Sequence, residues 1–518
     1  MSLFDKKYTA KAPQTTEGFY FGKSESEGED SYKNSSNTLF NDYLDILPKI
    51  GEGCFIITGR KGSGKSAIAK YIKDNATFEE STFCEIVKSD AIILEKHLQQ
   101  NTTITPGAKL VSFFQWLILV KLVKLILEAK SGEYTSELKA IHKFVRNNRG
   151  IVDIDKFSLT EITSINTQEI NIGSLSHTPI FRAILERTLG KRLEKAPYYK
   201  IIPALQEIVY KVLSFELFKE HNFIVIFDDL DIGFKSDKVQ DKQSLMELIR
   251  SAKEFNNDLK ELKNTKIIIL LRDDIKKVLS GFSADASKIF SSYEVELKWY
   301  DGKKEEDTKL RKFVNRRIEF NFKKRNLKYI AYDPWQSLFK DDEGCYGVDY
   351  NGKPRSAFKQ ILDYTFFRPR DLILFLKNVG SDKYYYPING QNISDLLIKY
   401  ANENVLEIKS ELAIHYTQDQ IREIFNTLRA LSYSQSYGFK KTDIYSQLEK
   451  HGLGQEILQT LIDYYLILPF DSTSGKYYIG YRNTEFSDYD IDSDNIKYRL
   501  HKCIYAYFVP KSTLPSGT

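Results

Sequence analysis

The chain has 518 residues, more than a single compact core accommodates, so two or three domains are expected. A hydrophobic content of 42% and a charged content of 28% exclude a disordered or fibrous polypeptide. The formal charge of +5 is too small for this length to argue by itself for nucleic acid or a membrane surface. Cys54, Cys84, Cys345 and Cys503 are widely spaced and form no C-x-x-C pair. Neither a zinc site nor a disulfide framework is indicated, which points to a reducing cytoplasmic setting.

In chain order, residues 1–37 read as a polar arm without the apolar stretch of a signal peptide. An apolar period over 38–50 predicts a helix, and the turn Gly51-Glu52-Gly53 leads into Cys54-Phe55-Ile56-Ile57-Thr58, an unbroken apolar run expected of a strand buried on both faces. Similar runs stand at Phe223-Ile224-Val225-Ile226-Phe227, at 266–271 and at 295–299, with a weaker one at 83–87. Helical patterns over 64–74, 201–219 and 241–257 separate them, so an α/β domain with a parallel sheet is predicted over 38–300. The most apolar segment, 110–127, contains Lys121 and Lys124 and reads as a buried core helix rather than a membrane span. Residues 150–177 place Ile162, Ile165, Ile170 and Ile172 among Thr, Ser, Asn and Gln, and predict an exposed hairpin or loop inserted into that domain.

A helical lid domain is expected over 301–410. Its first part, 303–328, carries eleven Lys or Arg against four acidic residues, while Leu310, Phe313, Val314 and Ile318 keep helical spacing. Beyond it, 419–431, 441–451 and 454–466 read as three short helices, and 467–470 with 477–481 as a hairpin across Asp471-Ser472-Thr473-Ser474-Gly475. Three helices and a hairpin predict a winged-helix-like α+β domain over 411–518.

The chemistry concentrates in Gly59-Arg60-Lys61-Gly62-Ser63-Gly64-Lys65-Ser66, which fits G-x-x-x-x-G-K-S between a predicted buried strand and the helix opening at Ala67. Glycines let backbone amides turn inward around phosphates, and a helix N-terminus adds free donors and a favourable dipole. Gly59, Lys61, Gly62, Ser63, Gly64 and Ala67 form the expected cradle of a P-loop for ATP. Lys65 is expected on the β- and γ-phosphates and Ser66 on Mg²⁺. The acids of Ile226-Phe227-Asp228-Asp229-Leu230-Asp231 stand at the end of a buried strand, where open α/β sheets bind ligands. Asp228 is read as the magnesium carboxylate, Asp229 as the acid that orients the attacking water, and Asp231 as their support. The spacing leaves room for one more strand between these two motif strands.

Arg272, ending another strand, is a candidate γ-phosphate sensor, with an ion pair to Asp273, Asp274 or a magnesium-site acid as the alternative. In Phe366-Phe367-Arg368-Pro369-Arg370-Asp371, proline marks a helix start. Arg368 and Arg370 are candidate nucleotide contacts, and a local pair between Arg370 and Asp371 is equally open.

These motifs together resemble bacterial P-loop ATPases related to the STAND and AAA+ groups, closest to a poorly characterised family met near phage-defence and mobile-element genes. The resemblance covers about 54–300 well and 300–405 moderately. It implies that Lys65 and Ser66 bind nucleotide, that Asp228 and Asp229 serve Mg²⁺ and hydrolysis, that Arg272 is a sensor, and that Arg368 or Arg370 senses nucleotide from the lid. Asp229 stands where AAA+ proteins usually carry Glu, so a shorter arm must position the water and slow turnover is implied. No fused nuclease, protease or TIR-like signature is visible, so an effector would be a separate chain.

Two functional classes follow. One is an ATP-dependent regulatory switch that forms a homo-oligomer and controls a partner effector, with antiviral defence as the expected setting. The other is a DNA-handling ATPase that uses the basic stretch 303–328. Arg316 and Arg317 lie in that stretch, and Arg317 falls near its apolar side, where a carboxylate or phosphate partner is expected. The C-terminal domain is not expected to read DNA: 411–518 hold eleven basic and thirteen acidic residues, and 454–466 hold no Lys or Arg. The seven histidines are scattered and form no metal or nucleophile pair.

Overall fold

The structure, a computed structural model, describes residues 15–23, 39–76, 81–89, 106–129, 135–152, 156–157, 169–190, 194–262, 265–340, 355–434, 438–480 and 495–508. The chain divides into two compact units. One comprises Asp45–Lys61 and Lys65–Leu297, the other Met1–Leu44, Gly62–Gly64 and Lys298–Thr518.

The first unit is built on a parallel sheet. Its strands are β1 (Ile56–Gly59), β2 (Thr82–Ser89), a two-residue β3 (Lys156–Phe157), β6 (Asn222–Asp228), β7 (Thr265–Arg272) and β8 (Glu294–Glu296). A separate antiparallel pair joins β4 (Glu169–Asn171) to β5 (Lys195–Pro197). The order across the parallel sheet is β3-β2-β6-β7-β1-β8. The apolar runs form strands because both faces are covered: Ile56, Ile57, Val225, Ile226, Phe227 and Ile267 to Leu271 are all buried. Each such side chain contributes about 1.5–3 kcal/mol on burial. Helices α1 (Lys65–Ala76), α2 (Pro106–Glu128) and α3 (Val239–Asp258) pack around the sheet. β7 fills the expected gap between the two motif strands, pairing with β1 on one side and β6 on the other.

The apolar segment is indeed helical. Leu110–Glu128 is long and apolar enough to cross a membrane, but 78% of its most apolar window is buried within the protein, and Lys121 reaches Glu85 at 3.3 Å. Of the expected 38–50 helix, a six-residue helix forms at Ile46–Gly51.

Residues 150–177 depart from an exposed hairpin. Ile170 and Ile172 are buried, and the Asn148 side chain completes β4 by donating to the Asn171 carbonyl and accepting its amide, both at 2.8 Å. A strand amide buried here must find a partner, and a side-chain amide supplies one. Ile162 and Ile165 lie outside the described residues.

In the second unit the basic stretch is helix α4 (Lys309–Lys324), and it is followed by α5 (Pro369–Ser381), α6 (Gly390–Leu412), α7 (Gln418–Ser432), α8 (Lys441–Lys450), α9 (Ile457–Asp463) and α10 (Lys502–Phe508). The boundary expected near residue 410 does not separate two cores. Leu310, Phe375, Leu396, Leu428, Leu461 and Ile504 belong to one buried apolar cluster. That cluster also takes in Phe19 and Phe21 from the segment read as a polar arm. Two phenylalanines in nine residues suffice to dock it, with the Asn321 side chain gripping the Tyr20 amide at 2.6 Å and the Tyr20 carbonyl at 2.7 Å. Residues 1–14 and 24–38 lie outside the described residues.

The C-terminal strand pairing also differs from expectation. β9 (Ile467–Asp471) pairs antiparallel with β10 (Ile496–Leu500), whereas Tyr477 makes only an isolated bridge to Phe470. Ile496, Tyr498 and Leu500 alternate inward, which gives β10 a full apolar face for the core.

Candidate phosphate-binding site

The first unit gathers the two flanks of the glycine-rich loop, 59–61 and 65–67, and three acidic or basic strand ends at the C-terminal end of its sheet, while Gly62–Gly64 count with the other unit. β1 runs into Gly59, and α1 begins at Lys65. Between them Gly62 and Gly64 adopt φ values of +82° and +103°, which side chains with a Cβ rarely tolerate. The first-turn amides of a helix have no acceptor within it, so the loop presents donors. Ser63 is 2% exposed and its hydroxyl has no partner among the described residues. Lys65 folds back on the loop, donating to the carbonyls of Gly59 at 2.7 Å and Arg60 at 3.2 Å. Burial lowers its pKa, against the opposing influence of Asp273.

Strand register brings the remaining groups to this end of the sheet. Gly59 lies beside Arg272 across β1 and β7, and Lys88 lies beside Asp228 across β2 and β6. Asp228 is 6% exposed and accepts from the Ser66 hydroxyl and from the Asp229 amide, the latter at 2.9 Å. Its pKa is raised, by burial first and by the neighbouring Asp229 second. A buried carboxylate held against a serine hydroxyl is a pair that a divalent cation would satisfy. Asp229 adopts φ +56°, which turns it out of the strand direction, and its carboxylate meets Lys88 at 3.1 Å.

Arg272 is 5% exposed and held on two sides: Nη1 donates to Asp231 at 3.1 Å, and Nε and Nη2 donate to Asp274 at 3.0 and 2.5 Å. The ion-pair alternative is thus realised through Asp231 and Asp274. Asp273, the next residue, has its pKa raised by burial, with Arg60 and Lys65 acting in the opposite direction. Beneath the loop, the Thr58 hydroxyl donates to the Glu294 carboxylate, which also receives Lys276 at 2.6 Å and so ties β1 to β8.

Sequence reasoning missed Lys88, Asp273 and Glu294. Lys88 and Glu294 are invisible without strand order, because each reaches the site from a strand with no motif. Asp273 was legible only as one of two adjacent acids.

The structure therefore brings Gly59, Lys61, Lys65, Ser66, Ala67, Asp228, Asp229 and Arg272 together in one unit. Arg368 and Arg370 belong to the other unit together with Gly62–Gly64, where the Arg370 amide donates to the Gly62 carbonyl at 3.3 Å, and both side chains are engaged by acids. Arg368, 3% exposed, donates to Asp371 at 2.9 Å, Glu411 at 3.0 Å and Asn404 at 3.2 Å. Burial opposes its charge, and Asp371 and Glu411 together overcome that and raise its pKa. Arg370 pairs with Glu407 at 3.2 Å. Asp371 therefore serves Arg368 and caps α5, while Arg370 turns elsewhere.

No family model, curated protein or solved structure matches the chain. Among the described residues, no group of three or more His, Cys, Asp or Glu is arranged to hold a metal unaided.

Proposed function

We propose that this protein is a Mg²⁺-dependent ATP-binding switch with slow hydrolysis. The observation that carries the reading is the direct contact between Ser66, at the start of α1, and Asp228, at the end of β6. Magnesium keeps most of its water and takes one or two protein oxygens plus phosphate, so a serine and a single carboxylate suffice. The residues present fit this group. Gly62 and Gly64 shape a loop of donors, the Ser63 hydroxyl lacks a partner among the described residues, and Lys65 is held near its own loop carbonyls, ready to turn.

The assignments follow from charge and reach. Magnesium would neutralise phosphate charge, with Ser66 and Asp228 holding it. Lys65 leaves the Gly59 and Arg60 carbonyls for phosphate oxygens. Asp229 is the base that holds the attacking water, and its engagement with Lys88 limits turnover in the resting protein. Arg272, clamped by Asp231 and Asp274, has a fixed position from which a change at the loop can be felt. Together with the strand order, these features support the P-loop ATPase resemblance, and the resemblance alone carries the reading of a homo-oligomer that acts on a separate effector in defence.

The charge pattern favours a switch over a DNA motor. In α4, Arg311 is buried against Asp333 at 2.9 Å and Arg317 donates to the Phe21 carbonyl at 2.9 Å over the Phe313 ring. Lys323 pairs with Glu319 at 2.7 Å. Two of the eleven cations, Arg311 and Arg317, are thus buried in structural roles, with Arg317 donating to the carbonyls of Phe21 and Leu39. The helices α7, α8 and α9 followed by β9 and β10 support a winged-helix-like reading, but α9 carries no Lys or Arg.

Native mass spectrometry with ATP, with ADP and without nucleotide tests the switch. A larger assembly with ATP is expected, and an unchanged mass in all three conditions overturns it.

A further inference from the structure

A cavity of about 380 Å³ opens on the second unit, far along the chain from the phosphate loop, between α6, α7 and α10. Its walls combine three cations, Lys409, Arg422 and Arg429, with three aromatic rings, Phe425, Tyr507 and Phe508. The volume falls in the range of small-ligand pockets. Along α7, Arg422 and Arg429 lie seven residues apart, roughly 10 Å or two helical turns, with Phe425 between them on the same face. Phe425 is 5% exposed and forms the floor, while Tyr507 and Phe508 are half-buried, their rings 6.4 Å from its centroid.

The cations are unequal. Arg422 is paired with Asp419 at 3.2 Å and Glu423 at 3.3 Å. Neither Lys409 nor Arg429 has a carboxylate partner among the described residues. Lys409 rests over Phe425 and Tyr507, its ammonium 4.7 and 5.8 Å from their centroids. Such a contact orients a cation without cancelling its charge. Thus two cations without a carboxylate partner among the described residues line the same cavity as the rings.

An inorganic anion would use the cations and leave the aromatic walls unexplained. An apolar ligand would use the rings and leave two charges facing it. A planar ring bearing an anion uses both: rings and guanidinium planes stack on a base, and Arg takes a phosphate with a two-pronged hydrogen bond. We propose that this pocket binds a nucleoside phosphate, as a second nucleotide site independent of the Gly59–Ser66 loop. Arg429 and Lys409 hold the phosphate, and the Tyr507–Phe508 pair, edge to face with centroids 5.1 Å apart, offers one aromatic face on which the base stacks.

The chemistry has two sources, a free nucleotide or one residue of a single strand, and the test separates them. Calorimetry on the full chain carrying Lys65→Ala, in EDTA, uses AMP, adenosine, inorganic phosphate, an eight-nucleotide oligoadenylate and an oligoglutamate. AMP is expected to bind at one site per chain, with adenosine and phosphate each weaker by about tenfold or more. Arg429→Ala and Tyr507→Ala are each expected to weaken AMP about tenfold, with Arg429→Lys recovering part of the loss. Oligoadenylate binding well above AMP, falling steeply with salt, assigns the source to a strand; equal or weaker binding assigns it to free nucleotide. Absence of AMP binding, phosphate or oligoglutamate binding as tightly as AMP, or indifference to Arg429→Ala overturns the proposal. Failure of the phosphate-loop reading shows elsewhere, as ATP binding by the wild-type protein that Lys65→Ala leaves unchanged.

Discussion

Replacing Arg368 by methionine removes a guanidinium that is 3% exposed and bonded to Asp371, Glu411 and Asn404. Removing one partner of a buried ion pair costs about 3–5 kcal/mol, because the remaining charge stays in a low dielectric. Here Asp371 keeps the backbone amides of Phe366 at 2.9 Å and of residue 368 at 3.2 Å, so its anion stays partly solvated by the chain. Glu411 loses a 3.0 Å contact while 3% exposed, so part of the penalty falls on it. The lower end, about 3 kcal/mol, is therefore expected. The chain has three tryptophans, and Trp116→Phe leaves Trp299 and Trp335, both in the second unit, as reporters of urea unfolding. A loss below about 1 kcal/mol, the value of an exposed pair, would refute the reasoning. Arg368→Lys keeps the charge but loses the fork, and it should fall between the two. If Arg368 instead contacts nucleotide, Arg368→Lys will cut ATP affinity while leaving stability almost intact.

Other outcomes follow from the site. Asp228 has a folded-state pKa above its unfolded value, so the stability held by its neutral form is full below the unfolded value and lost as pH rises through the folded one. Asp228→Asn should therefore gain melting temperature over nucleotide-free wild type across that rise, and parallel curves would contradict this. Gly64→Ala meets no atom within 4 Å but must adopt φ +103°, so a strain of about 1–3 kcal/mol without a clash is expected, together with lost ATP binding by equilibrium dialysis. Lys88→Met frees Asp229 from a pair whose side chains are 33% and 32% exposed, so stability should change by less than about 1 kcal/mol while steady-state phosphate release rises. Unchanged release would remove Lys88 from any control of Asp229.

The sheet was legible because its strands are buried on both faces and so read as unbroken apolar runs, Val225 to Phe227 and Ile267 to Leu271 among them. The glycine-rich loop was legible because backbone shape at Gly62 and Gly64 demands a residue type. What sequence hid were contacts made by neighbours in space. Lys88 meets Asp229 only because β2 pairs with β6, and Arg317 meets Phe21 across nearly three hundred residues. Charge counting along α4 also misled, since it cannot distinguish Arg311, stacked on Trp335 and Phe358, from a solvated lysine. The β10 partner of β9 stayed hidden because hairpin reasoning favours the nearest apolar segment, whereas the inward alternation of Ile496, Tyr498 and Leu500 decides the pairing.

Equilibrium ATP binding, measured with Mg²⁺ and with EDTA for wild type, Lys65→Ala, Ser66→Ala and Asp228→Asn, tests the central claim most directly. The account predicts Mg²⁺-dependent binding by the wild type, near-complete loss in Lys65→Ala, and loss of the Mg²⁺ dependence in Ser66→Ala and Asp228→Asn. Binding of equal strength in all four proteins, or none by the wild type, would contradict it.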